Sequence, residues 1–289
     1  MARGIVPRQP TKSGRQAGVK RATPRGTPPQ ARSFKSGNNP VQFKSAAGQA
    51  AAAKYQKPSG QKKFGYDPVA PERLQEILKR LDQTYPGVTC ALNHKSAWEL
   101  LVATILSAQC TDVRVNMVTP EIFRKYPTPQ AFAQLKPEQL EPDIRSTGFF
   151  RNKSKSVVGA AKKLIADFGG QVPDEMDKLL TIPGVARKTA NVVLGTWFDK
   201  AEGVVVDTHV HRIARRLELT RNDDPQKIEQ DLMKVIPREK WIQFAHQLIW
   251  HGRKLCLARQ PKCADCPLEN ICHAADKTWS TVEIHKAAR

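Results

Sequence analysis

The chain has 289 residues with 47 Lys+Arg against 27 Asp+Glu, a formal net charge of +20. No stretch of about 18 apolar residues is present, so no membrane span is expected, and the N-terminus lacks the apolar core of a secretory signal. That charge balance favours a polyanionic partner, most simply DNA or RNA.

The basic excess is uneven. Residues 1–66 hold 14 Lys+Arg and no acid, Asp67 being the first, so residues 67–289 carry 33 basic and 27 acidic groups, a net of +6. The first segment combines Pro, Gly, Ser, Gln, Lys and Arg with few large apolar residues and cannot bury enough surface to offset chain entropy. It is expected to be a disordered basic extension attracted to phosphates through counterion release. It is Arg-rich and acid-free, as a mitochondrial transit peptide would be, but its prolines and glycines oppose the amphipathic helix such a peptide forms.

From Pro71 the apolar spacing is helical. Leu74, Ile77, Leu78, Leu81 and Tyr85 predict a first helix ended by Pro86-Gly87. A second runs through Trp98, Leu101, Val102, Ile105 and Leu106, followed by the polar turn SAQCTD, where Thr111 or Asp112 can cap a third. Pro120 should kink or break that third helix near Thr119. Prolines over 127–142 separate short helices, residues 146–154 read as a loop, and Val157, Ala161, Leu164, Ile165 and Phe168 mark a further helix ended by Gly169-Gly170.

The segment LLTIPGVARKTANVVL, Leu179 to Leu194, then reads as helix, tight hairpin, helix. Pro183 and Gly184 stop the first helix, and a second is expected from Arg187 with Ala190, Val193, Leu194 and Trp197 on one stripe. Backbone N–H groups around Gly184, Val185, Ala186 and Arg187 at the positive end of a new helix form a place to hold phosphate. Lys188 lies just inside that helix and Asp207, in VVVDTHVHR, follows 19 residues later. An amine and a carboxylate near a phosphate-binding turn point to chemistry on a nucleic acid backbone. Further stripes follow: Val210, Ile213, Ala214, Leu217; Ile228, Leu232, Val235; Trp241, Phe244, Ala245, Leu248. Only Gly203–Val206 hints at a strand, so the fold class is all-α, with about ten helices.

Near the C-terminus, Cys256, Cys263, Cys266 and Cys272 are separated by six, two and five residues. Four thiolates in one compact loop suit tetrahedral zinc or a cubane iron–sulfur cluster, and the single close pair favours the cluster. The loop is read as a structural clip that fixes Arg259 and Lys262 in a rigid basic turn. Cys90 and Cys110 are read as buried small hydrophobes.

Four motifs together, ILSAQCTD at 105–112, PGVARKTANVV at 183–193, VDTH at 206–209 and the cysteine loop, make the chain resemble the endonuclease III family of DNA glycosylases in the helix-hairpin-helix superfamily, over about residues 70–275. The resemblance implies two helical domains. A six-helix domain at 90–201 would carry the hairpin (about 176–195), and residues 67–89 plus 202–280 would form a [4Fe-4S] cluster domain on the four cysteines. It further implies that Lys188 is the nucleophile and Asp207 the catalytic aspartate, that Gln109 fills the gap left by a flipped base, and that Gly148-Phe149 wedges into the opposite strand. His209 could contact phosphate or cap its helix. Two departures stand out: Ala186 replaces a usual second glycine, and the Lys–Asp interval is one residue longer than typical.

Lys188 attacks C1′ only as a free amine, a form that helix-start placement and partial burial would favour. The expected activity is a bifunctional glycosylase and apurinic/apyrimidinic lyase removing oxidised or saturated pyrimidines by Schiff-base chemistry and β-elimination. Its partner would be double-stranded DNA with damaged bases or abasic sites, bound by a monomer in the cytoplasm and nucleoid (mitochondrion or nucleus in a eukaryote). The rivals are an adenine-mismatch glycosylase, which lacks the lysine, and a non-catalytic DNA-binding module, which would not need Asp207.

Overall fold

A computed structural model describes residues 66–278, so all of the 1–66 extension but Tyr66, and the last residues, 279–289, lie outside it. Eleven α-helices make up the described chain: α1 Pro71–Thr84, α2 Ala97–Leu106, α3 Asp112–Lys125, α4 Pro129–Ala133, α5 Pro137–Ile144, α6 Phe150–Phe168, α7 Met176–Leu180, α8 Arg187–Trp197, α9 Thr208–Arg216, α10 Pro225–Val235 and α11 Trp241–Lys254. No strand occurs among the described residues, and Gly203–Val206 is extended without a partner. No helix there is long and apolar enough to cross a membrane.

The helix ends follow local chemistry. Ser96, Thr111 and Thr128 each accept a backbone N–H three residues on, capping α2, α3 and α4. Pro71, Pro129, Pro137 and Pro225 occupy first-turn positions, where a missing N–H costs nothing. Gly169, in the left-handed conformation, ends α6.

The apolar stripes assemble two clusters. One gathers α2 and α3 with Phe132, Leu140 and Ile144, α6, Leu179 and α8. The other gathers α1, Val204, Val206, α9, α10, α11 and Leu268. Phe132 is central to the first, with Trp98, Phe123 and Tyr126 packed around it edge-on or tilted. Tyr66, the first described residue, donates its hydroxyl to Glu218 at 2.7 Å and stacks edge-on with His273.

Four expectations are corrected. The third helix runs unbroken through Pro120, because Val115, Thr119 and Ile122 on either side of the proline are buried and hold the helix line. The loop predicted at 146–154 shrinks to Gly148 and Phe149, since a 3-10 turn covers Arg145–Thr147 and α6 starts at Phe150. Trp197 leaves the core stripe, 42 % exposed and edge-on to His94, while the next residue, Phe198, packs against the first cluster in its place. Cys90 and Cys110 are half-buried at the margin of the first cluster.

Candidate active site

The hairpin is built by close packing. Gly184 has φ +80°, and a Cβ there would lie 2.6 Å from the Ser156 Cβ of α6, while a Cβ on Gly159 would meet Pro183 at 3.2 Å. The turn therefore rests against α6 and tolerates no side chain at position 184. Val185 donates its N–H to the Ile182 carbonyl at 3.1 Å and its side chain is buried, so it packs and offers no free donor. The N–H groups of Gly184, Ala186, Arg187 and Lys188 have no acceptor among the described residues. They converge on the N-terminus of α8, whose cap residue Ala186 has no side-chain oxygen to occupy them. Substituting Gly184 by alanine should cost about 1–3 kcal/mol, from the left-handed φ and the Ser156 contact, and should weaken DNA binding. A urea melt that superimposes on wild type would refute this account of the hairpin.

Lys188 follows directly and is exposed, so the expected partial burial is not found. Beside it, the Arg187 side chain is partly exposed but committed to an ion pair. Its guanidinium pairs with Glu229 of α10 at 3.0 Å, and Asn191 Nδ2 donates to the same carboxylate at 2.8 Å. Glu229 is buried, and Gly203 fits against it because a Cβ there would lie 2.0 Å from Oε1. This latch joins the start of α8 to the second apolar cluster.

Asp207 is the N-cap of α9. Its Oδ1 accepts the N–H groups of His209 and Val210, both at 2.8 Å, and Oδ2 has no partner among the described residues. Capping α9 thus falls to Asp207, and not to His209. His209 is half-buried against Gly252 of α11, with Arg212 Nη2 3.2 Å from its Nδ1, and burial pulls its imidazole below the ordinary value.

Lys188 and Asp207 line one cavity of about 110 Å³, together with Ser107, Asp112, His246, Trp250 and Arg253. The expectation that Thr111 or Asp112 caps α3 resolves to Thr111, and the Asp112 carboxylate instead receives Arg253 at 2.6 Å. His246, Trp250 and Arg253 were not anticipated as site residues, because α11 reads in the sequence as a core stripe with no motif on its polar face. Burial, and then the Arg253 guanidinium, hold His246 below the ordinary histidine value of 6.5. The folded state therefore resists its protonation, so its stability contribution is complete above about pH 6.5 and is lost as pH falls toward the depressed folded value. His246→Gln should flatten the decline of melting temperature between about pH 6.5 and 5; an unchanged slope would show that His246 is not a contributor.

Gln109 and Phe149 sit on neighbouring turns, both with left-handed backbones at φ +52° and +47°. Such conformations cost about 1–2 kcal/mol in a non-glycine residue. Gln109 is exposed, and Phe149 is 61 % exposed beside Gly148, φ +71°. Arg145 and Arg151 flank the Phe150 ring at 6.0 and 5.8 Å; both are exposed cations that no sequence motif singled out.

Away from this cavity, Cys256, Cys263, Cys266 and Cys272 line a second pocket with Ile213, Leu217 and Leu268. No three His, Cys, Asp or Glu side chains among the described residues converge closely enough for a single ion. Four cysteines around one pocket are a donor set of the kind that zinc or an iron–sulfur cluster takes. Arg216 Nη1 lies 3.2 Å from Cys256 Sγ, and its guanidinium also pairs with Asp276. Burial pushes the Cys266 thiol up to about 12, so a metal binding there must displace its proton. Lys262 borders this pocket and Arg259 is exposed on the same loop; neither lines the Lys188 cavity.

The fold and this cavity define a class, and comparison with known proteins gives the same one: residues 102–238 match the model of the HhH-GPD superfamily of base excision DNA repair proteins. Endonuclease III of Synechocystis sp. is 52 % identical over 204 residues, covering 71 % of this chain and 93 % of the relative. A solved non-covalent endonuclease III–DNA complex is 39 % identical with a TM-score of 0.68, covering 75 % of this chain and 99 % of that one. A trapped covalent endonuclease III–DNA intermediate gives the same identity and TM-score over 76 % and 99 %. The chain belongs to the endonuclease III family and is a base excision repair DNA glycosylase/lyase.

Proposed function

We propose that this protein binds damaged duplex DNA and acts as a bifunctional glycosylase and lyase, with Lys188 as nucleophile. The observation that carries the reading is that Lys188 and Asp207, 19 residues apart, line one cavity at the end of a hairpin in which the N–H groups of Gly184, Ala186, Arg187 and Lys188 have no acceptor among the described residues. Oxidised or saturated pyrimidines, which stack poorly, are the substrates proposed. Such a nucleotide leaves the stack at a cost of a few kcal/mol. Gln109 fills the gap, and Phe149 parts the opposite strand.

The free amine of Lys188 attacks C1′, the bond to the base breaks, and the base departs with the electron pair and takes up a proton. Asp207 Oδ2 stabilises the positive charge developing on the sugar and helps move protons off the amine, while Oδ1 stays engaged in the α9 cap and fixes the carboxylate's direction. Opening of the sugar leaves Lys188 in a Schiff base at C1′. That linkage acidifies the C2′ proton; its removal expels the 3′ phosphate, and water then hydrolyses the imine to free the lysine. Cys256, Cys263, Cys266 and Cys272 would hold a [4Fe-4S] cluster. When bound, it would supply a structural clip for the loop carrying Arg259 and Lys262, where those cations meet phosphate.

Incubation of the purified protein with a duplex bearing a thymine glycol or an abasic site tests the reading. Strand cleavage 3′ to the lesion, leaving an unsaturated aldehyde end, is expected; tight binding with an intact strand would favour a non-catalytic module.

A further inference from the structure

Lys153 takes no part in the chemistry above, yet its setting is unusual. It lies in the first turn of α6 and is 4 % exposed. Its Nζ donates to the Leu106 carbonyl at 2.8 Å and to the Thr147 carbonyl at 2.7 Å. Leu106 is the last residue of α2, immediately before the turn that carries Gln109. Thr147 closes the 3-10 turn immediately before Gly148 and Phe149. Both carbonyls stand at helix ends, where they have no backbone N–H donor of their own and carry partial negative charge.

No carboxylate pairs with Lys153 among the described residues, and burial pulls its amine below the ordinary lysine value. A buried ammonium is costly unless it is hydrogen-bonded, and an apolar side chain would fill this space without that cost. What the amine provides and a methyl group would not is a directed bond to each of two turns at once. Those turns hold Gln109 and Phe149, both strained toward the left-handed region. Freed from each other, they could relax independently.

We propose that Lys153 is a positioning residue that locks the Gln109 turn and the Phe149 turn into one rigid unit, so that gap-filler and wedge enter the duplex together. The proposal rests on the reading of Gln109 and Phe149 as duplex-invading side chains.

The test compares single-turnover cleavage of a thymine glycol paired with adenine in a duplex against cleavage of an abasic site in a single strand, where nothing has to be parted. Lys153→Met is expected to slow the duplex reaction ~10- to 100-fold, the scale of a misplacement of about 1 Å, and to leave the single-strand reaction within about threefold of wild type. Lys153→Gln, which keeps two N–H donors on a shorter chain, is expected to fall between them. Equal losses on both substrates would reduce Lys153 to a stability role and overturn the proposal. So would full duplex activity in Lys153→Met alongside a loss in Phe149→Ala. If Phe149→Ala itself retains duplex activity, the wedge reading beneath the proposal fails instead. Should Lys153→Met not fold, amide exchange on Lys153→Gln decides: faster exchange at both turns supports the lock, and a change at one turn alone overturns it.

Discussion

Lys188→Ala is expected to abolish covalent trapping of the protein on abasic DNA by borohydride and to lower strand cleavage by about a thousandfold or more, as removal of an enzyme's nucleophile does. Binding to an abasic duplex should survive with little change, because the unpaired N–H groups of Gly184, Ala186, Arg187 and Lys188 belong to the backbone and persist without the lysine side chain. Lys188 is solvent-facing, so its loss leaves no cavity and the melting temperature should hold. A trapped adduct in the alanine variant would remove Lys188 from the mechanism. The companion change Asp207→Asn should lower turnover by about 10²- to 10⁴-fold, while the amide oxygen still accepts the His209 and Val210 N–H groups and keeps α9 capped.

The second large effect concerns the cysteine pocket. Purified protein is expected to be brown, absorbing near ~400 nm, with iron and sulfide in equal amounts. Cys266→Ala should lose that colour and destabilise the second apolar cluster. The scale is that of structural metal sites, ~10 kcal/mol of binding free energy coupled to folding. Ile271, Cys256, Cys266 and Cys272 pack against that cluster, and Arg73 of α1 donates to the Ile271 carbonyl at 2.9 Å. Loosening the loop therefore reaches α1. Colourless protein with stoichiometric zinc would overturn the cluster, and a fully coloured Cys266→Ala would remove Cys266 from its ligands.

Much of this molecule was legible in its sequence because its signals are local. Helix starts at Thr111 and Arg187 follow from cap and hairpin residues, and the stripes of α1, α9 and α11 follow from the 3.6-residue period. Errors arose where tertiary packing outweighs a local rule. Pro120 costs a helix bond, but the burial of its neighbours keeps α3 intact, and Trp197 obeys the stripe but yields its place against the core to Phe198. The cavity was legible only in part. Lys188 and Asp207 fall in recognisable motifs, whereas His246, Trp250 and Arg253 sit on a helix whose sequence shows only its buried face, and they join the site through the packing of α11. The Arg187–Glu229 pair spans 42 residues and has no sequence signature at all.

That latch separates two properties that a charged DNA enzyme usually mixes. Affinity for DNA comes from exposed cations and backbone donors facing phosphate, and it must fall steeply as salt rises. The bond between α8 and α10 ends on a carboxylate whose side chain is 7 % exposed, where mobile ions screen poorly. Raising ionic strength therefore loosens the grip on DNA more than it loosens the bond that ties α8 to α10. The start of α8 stays tied to α10 while each encounter with DNA grows shorter, which suits a protein that must inspect many undamaged sites and release them quickly.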